Sequence, residues 1–143
     1  CFVNGLLSAH VAKRAHNYNY VVVHNEAGME HISRGILPGV DTVILVSDCS
    51  RRGIQAVGRI ARLVPECGLK PKKIGLIVNR APKGVLNDGV REEIEKQNLE
   101  LLGVVPQDEG VYEFDSAGTP TTQLPEDNPV RQALYKIMDG LEL

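Results

Sequence analysis

Four times along this chain a short run of aliphatic, mostly β-branched residues stops at a polar, glycine-bearing step: Tyr20 to Val23, Val43 to Val46, Ile74 to Val78 and Leu101 to Val105. Runs of this length with no polar alternation read as strands buried on both faces. Helical patterns lie between and after them. Ser50 is placed to cap a helix in which Ile54, Val57, Ala61 and Val64 share one face. Asn87 predicts a second cap, with Val90 and Ile94 facing inward and Glu92 and Lys96 forming an i,i+4 ion pair. Pro129 suits the first turn of a last helix whose apolar stripe is Val130, Ala133, Leu134, Ile137 and Leu141. Strand and helix alternating over short connections require right-handed crossovers. The expected fold is therefore α/β: a mostly parallel sheet of about four strands with helices on both faces, all 143 residues in one domain.

Composition narrows the function classes. With 43% hydrophobic and 24% charged residues, the chain has enough apolar material for a core. Its 16 Lys and Arg against 18 Asp and Glu leave a net charge of -2 without a like-charge block, which argues against a nucleic-acid or anionic-membrane surface. No run approaches the roughly 18 apolar residues that a membrane span needs. Cys1, Cys49 and Cys67 are odd in number and form no CxxC pair, so a reducing, cytoplasmic setting is expected rather than a disulfide framework. A first residue other than Met suggests a chain cut from a longer one.

In open α/β sheets, ligands bind beyond the carboxyl ends of the strands. Those ends read "HNEAG", "SDCSRRG", "NRAPKG" and "PQDEG". Turn chemistry alone accounts for any one of them. His24 also reads as a hydrogen-bonded structural histidine and Cys49 as a small buried hydrophobe. Arg51 and Arg52 read as a solvated helix start, although cations there oppose the helix dipole and require a compensating partner.

Taken together, "NEAGMEHISRG", "DTVILVSDCSRRGIQAVGRIARL", "IVNRAP" and "LLGVVPQDEGVYEFDSAG" resemble the C-terminal half of the carbon monoxide dehydrogenase accessory ATPases. These are nickel-insertion proteins of the Mrp/MinD branch of P-loop NTPases, and the likeness runs from Val21 to about Gly118. It implies a fragment of a longer nucleotide-binding domain. In that family the strand before "EAG" ends in a Walker-B-type aspartate that acts through water on magnesium, and the glycine N–H faces the γ-phosphate. The matching positions are His24 and Gly28. Gly28 suits close backbone approach to a phosphate. His24 supplies no anionic oxygen for magnesium, so hydrolysis is expected to be weakened unless Asn25 or Glu26 substitutes.

The resemblance further implies that Asn79 reads the adenine edge, that Arg80 covers the ring, and that Pro106 and Asp108 wall the base. No stretch of the 143 residues matches G-x-x-x-x-G-K-[ST]. The parent is accordingly expected to be an ATPase using ATP and magnesium, and this chain alone to be inactive. Cys1 matches the second cysteine of a CxC pair. Two such pairs meeting in a homodimer would offer four thiolates to nickel or zinc. As an alternative, Cys1 is a frayed terminal thiol. Glu30 and Arg34 read either as an intrahelical ion pair or, by the resemblance, with His31, as part of a nucleotide-sensing switch. The implied clients are carbon monoxide dehydrogenase or acetyl-CoA synthase. Two alternatives stand beside that function: another Mrp/MinD-type ATPase, partition- or cobyrinate-related, and a non-catalytic adaptor.

Overall fold

A computed structural model of the chain describes residues 9, 13–25 and 39–141. The chain divides into two compact units: the described residues up to Val43 with Ile60–Lys73, and Ile44–Arg59 with the described residues from Ile74 onward. Its strands are β1 (Thr42–Asp48), β2 (Lys73–Ala81) and β3 (Glu100–Pro106), and its longer helices are α1 (Arg51–Glu66), α2 (Asp88–Lys96), α3 (Glu109–Ser116) and α4 (Pro129–Asp139). Short 3-10 turns occupy Pro82–Gly84 and Thr121–Gln123. The strands form one sheet in the order β1-β2-β3, with β2 and β3 parallel. The α/β architecture expected from the sequence is thus present, with three of the expected strands.

The fourth run departs from expectation. Tyr20, Val21, Val22 and Val23 belong to no strand and are 65%, 48%, 90% and 40% exposed. A strand exists only where a neighbour completes its hydrogen-bond ladder, and β-propensity alone does not supply one. His24 and Asn25 continue the same exposed segment, so no strand end delivers them to a rim.

Burial on both faces holds only in the centre of the sheet. Leu76, Ile77 and Val78 in β2 are consecutive and buried, whereas β1 alternates, with Leu45 and Ser47 buried and Ile44 and Val46 exposed. A strand flanked on both edges and covered on both faces reads as an unbroken apolar run, and an edge strand does not. On one face Ile77, Val105 and Ile137 form a buried cluster, against which Leu102, Val130 and Ala133 pack. Gly103 is what lets α4 settle there, because a Cβ on it would overlap Ile137. Each such aliphatic side chain removed from water contributes about 1.5–3 kcal/mol.

Helix boundaries follow local chemistry. The Ser50 hydroxyl accepts from the Gly53 N–H at 3.0 Å, and the Asn87 amide oxygen accepts from the Val90 N–H at 2.9 Å, so both expected caps form. Helix α1 ends in a Schellman motif, in which Leu69 N–H donates to Val64 C=O and Gly68 N–H to Pro65 C=O, with Gly68 at φ 86°. Two details differ from the periodicity. Leu134 is 40% exposed, so the buried stripe of α4 is narrower than expected. The Glu92–Lys96 pair is not among the ion pairs of the described residues; the neighbouring carboxylate, Glu93, is the one drawn into contacts.

Candidate functional site

The carboxyl end of β2 is irregular in a way that aims side chains. Val78 pairs with Val104 and Ala81 with Pro106, so β2 advances three residues while β3 advances two. The extra residue is a bulge at Asn79 and Arg80, a device that ends regular pairing and redirects side chains. Arg80 takes φ 54°, a left-handed conformation that costs a non-glycine residue about 1 kcal/mol or more. Its N–H donates to Asn79 Oδ1 at 2.9 Å, which orients the Asn79 amide. Asn79 Nδ2 and the Arg80 guanidinium have no hydrogen-bond partner among the described residues. Asn79 therefore keeps a donor and one acceptor lone pair, and beside it stands an exposed planar cation.

Directly across the ladder lies the end of β3. Gln107 N–H donates to Ala81 C=O at 2.9 Å and extends the contact past the Ala81–Pro106 pair. The chain then turns into α3, whose cap is Asp108: its Oδ1 accepts from Val111 N–H at 3.1 Å and from Asn128 Nδ2 at 3.0 Å. Asn128 in turn caps α4, its Oδ1 accepting from the N–H groups of Val130 at 2.9 Å and Arg131 at 3.4 Å. Four of the residues expected at a purine site, Asn79, Arg80, Pro106 and Asp108, thus share one end of the β2–β3 pair.

At the end of β1 the Ser50 hydroxyl donates to Asp48 Oδ1 at 2.6 Å, and Ser47 donates to the Asp48 carbonyl at 3.0 Å. A Cβ on Gly53 would overlap both the Asp48 carboxylate and the Ser47 hydroxyl as they stand, so glycine in the first turn of α1 lets these two side chains keep their positions. Arg51 has the partner that its position against the helix dipole demands: its Nη2 lies 3.3 Å from Oε2 of Glu93, whose side chain is 1% exposed. Gln97 Nε2 donates to the other carboxylate oxygen of Glu93 at 2.9 Å. The Gln97 hydrogen bond holds the Glu93 pKa below its ordinary value; burial opposes this, and Gln55, Arg51 and Lys96 add to the lowering. Gly58 makes room for Gln97, since a Cβ would meet its amide oxygen at 2.5 Å.

Sequence reading missed Glu93 and Asn128. Glu93 had a signal: it follows Val90 by three residues and precedes Ile94, on the buried face of α2. Asn128 had one too, standing just before the helix-opening Pro129. His24 is exposed in the segment already described, and Cys1, Glu26, Gly28, Glu30, His31 and Arg34 lie outside the described residues. Cys49 and Cys67 are free and half-buried. Among the described residues no group of three His, Cys, Asp or Glu side chains is placed to hold a metal, and no helix is long and apolar enough to cross a membrane.

No family model matches the chain. An uncharacterized ATP-binding protein of Methanocaldococcus jannaschii is 32% identical over 141 residues, 99% of this chain and 55% of that protein. The carbon monoxide dehydrogenase accessory protein CooC of Rhodospirillum rubrum is 28% identical over 109 residues, 68% of this chain and 36% of its own length. Among solved structures, the septum site-determining protein MinD of Pyrococcus horikoshii OT3, complexed with Mg-ADP, superposes with a TM-score of 0.73 at 19% identity. That match covers 95% of this chain and 55% of the MinD chain. The fold is therefore MinD-like, and the chain spans about half the length of the first relatives it matches.

Proposed function

We propose that this chain is part of an ATP-binding, MinD-type P-loop NTPase and contributes the purine-facing side of its nucleotide site. The observation that carries the reading is the bulge at Asn79–Arg80, opposite Pro106. It leaves an oriented amide with donor and acceptor capacity next to an exposed guanidinium, and adenine presents a donor beside an acceptor. These residues fit an adenine base: Asn79 reads the edge, Arg80 covers the ring, and Pro106 with Asp108 closes the side. His24, expected on the phosphate side, stands in the exposed segment, and Glu26 and Gly28 lie outside the described residues. His24 offers magnesium no anionic oxygen, and among the described residues no group of ligands fits that ion. The 32% identity to an ATP-binding protein over nearly the whole chain and the MinD-like fold support the nucleotide assignment.

The finer function is nickel insertion during maturation of carbon monoxide dehydrogenase or acetyl-CoA synthase by a cytoplasmic homodimer, with Cys1 contributing to a metal site. The 28% identity to CooC supports it, and another Mrp/MinD-type ATPase, partition- or cobyrinate-related, is equally consistent. Calorimetry of the protein expressed from its natural start separates them. Binding of ATP with magnesium and of one nickel per dimer supports the insertion role. ATP binding without nickel supports another MinD-type ATPase. Binding of neither leaves a non-catalytic adaptor. Asn79→Ala is expected to weaken ATP binding about tenfold, the effect of one lost hydrogen-bonding group in a buried complex.

A further inference from the structure

Resting on the reading of Asn79, Arg80, Pro106 and Asp108 as the purine rim, we infer that Asn128 is a positioning residue for that rim. Its amide has one determined orientation: Oδ1 faces the first N–H groups of α4, and Nδ2 donates to Asp108 across 20 residues of sequence. The bond joins two parts of unequal anchorage. Helix α4 is held in the core by Ile137, packed with Ile77 and Val105. Helix α3, which follows the rim directly, has no buried residue. An element with few buried contacts opens at low free energy, so the rim segment needs an external tie.

The Asn128–Asp108 bond supplies that tie, and the packing around it is close. A Cβ on Gly110 would stand 3.1 Å from Asp108 Oδ1 and 3.8 Å from Asn128 Nδ2. The approach to Asn128 is itself held, because Arg131 donates to the Leu124 carbonyl and, at 2.7 Å, to Glu126 Oε1. Asn128 therefore ties the loop that carries Pro106 and Asp108 to the packed helix, without touching the base.

Serine and aspartate both retain the acceptor that caps α4 and both lack the amide donor, so they separate the two roles of Asn128. In the protein expressed from its natural start, Asn128→Ser is expected to raise the dissociation constants for ATP and ADP about fivefold. Asn128→Asp, which sets two carboxylates together, should raise them tenfold or more. Binding of inorganic tripolyphosphate and the thermal midpoint of Asn128→Ser should stay near wild type. Unchanged ATP affinity in the serine and aspartate variants would overturn the inference, as would equal losses for ATP and tripolyphosphate. Failure of the wild-type protein to bind ATP would instead overturn the reading of the rim, and the inference with it.

Discussion

Val21–Val23 and Leu76–Val78 are aliphatic triplets of similar β-propensity with opposite fates. The first three are 48%, 90% and 40% exposed, the second three 0%, 7% and 0%. What separates them is neighbours. The second triplet lies in β2, with β1 and β3 on its edges and α4 packed over Ile77. The first belongs to no strand. Composition makes a segment able to be a buried strand, and ladder partners and covering helices make it one.

The widest expected gap is between core truncations. Leu76→Ala should cost about 2–5 kcal/mol in urea unfolding, through lost burial and a residual cavity. Val22→Ala should stay within about 0.5 kcal/mol of wild type. Equal losses would show that the Tyr20–Val23 run is buried in solution after all.

The buried Glu93 sharpens the contrast through pH. Its folded-state pKa is held below the ordinary carboxylate value of 4.5, chiefly by the Gln97 hydrogen bond. The unfolded chain thus takes up the proton first, so this contribution to stability is complete above that value and is lost as pH falls through the lowered one. Thermal melts of wild type between pH 6 and about 3 should lose midpoint faster than those of Glu93→Gln. Parallel pH profiles would remove Glu93 as the group responsible.

Smaller effects are expected at local positions. Asn87→Ala should cost about 1 kcal/mol by removing the cap of α2, and Asn87→Asp should cost little, because aspartate caps as well. Arg80→Gly should be stabilising by less than about 1 kcal/mol, since glycine adopts the left-handed conformation without strain. The same change should weaken ATP binding by calorimetry. A loss of stability in Arg80→Gly would mean that the side chain holds the bulge together.

Legibility followed the range of the interaction. Caps at Ser50 and Asn87 could be read because acceptor and N–H lie three residues apart. The strands β1, β2 and β3 were readable from their apolar runs, and the rim from the polar steps that follow them. The role expected of His24 was tied to a strand that the structure does not form there. Arg51 showed in sequence that it needed a partner, but not that the partner is Glu93, 42 residues away.

By itself, then, the amino-acid sequence determined the alternation of strands and helices, the positions of the caps, and which polar residues end each strand. These depend on propensities and on hydrogen bonds spanning a single turn. Tertiary structure alone decided which apolar runs became strands, and it placed the bulge that exposes Asn79 and Arg80. It also set the bond between the caps of α3 and α4. Those features arise from register and packing between segments distant in sequence, where the partner of each group is fixed by three-dimensional proximity and not by spacing along the chain.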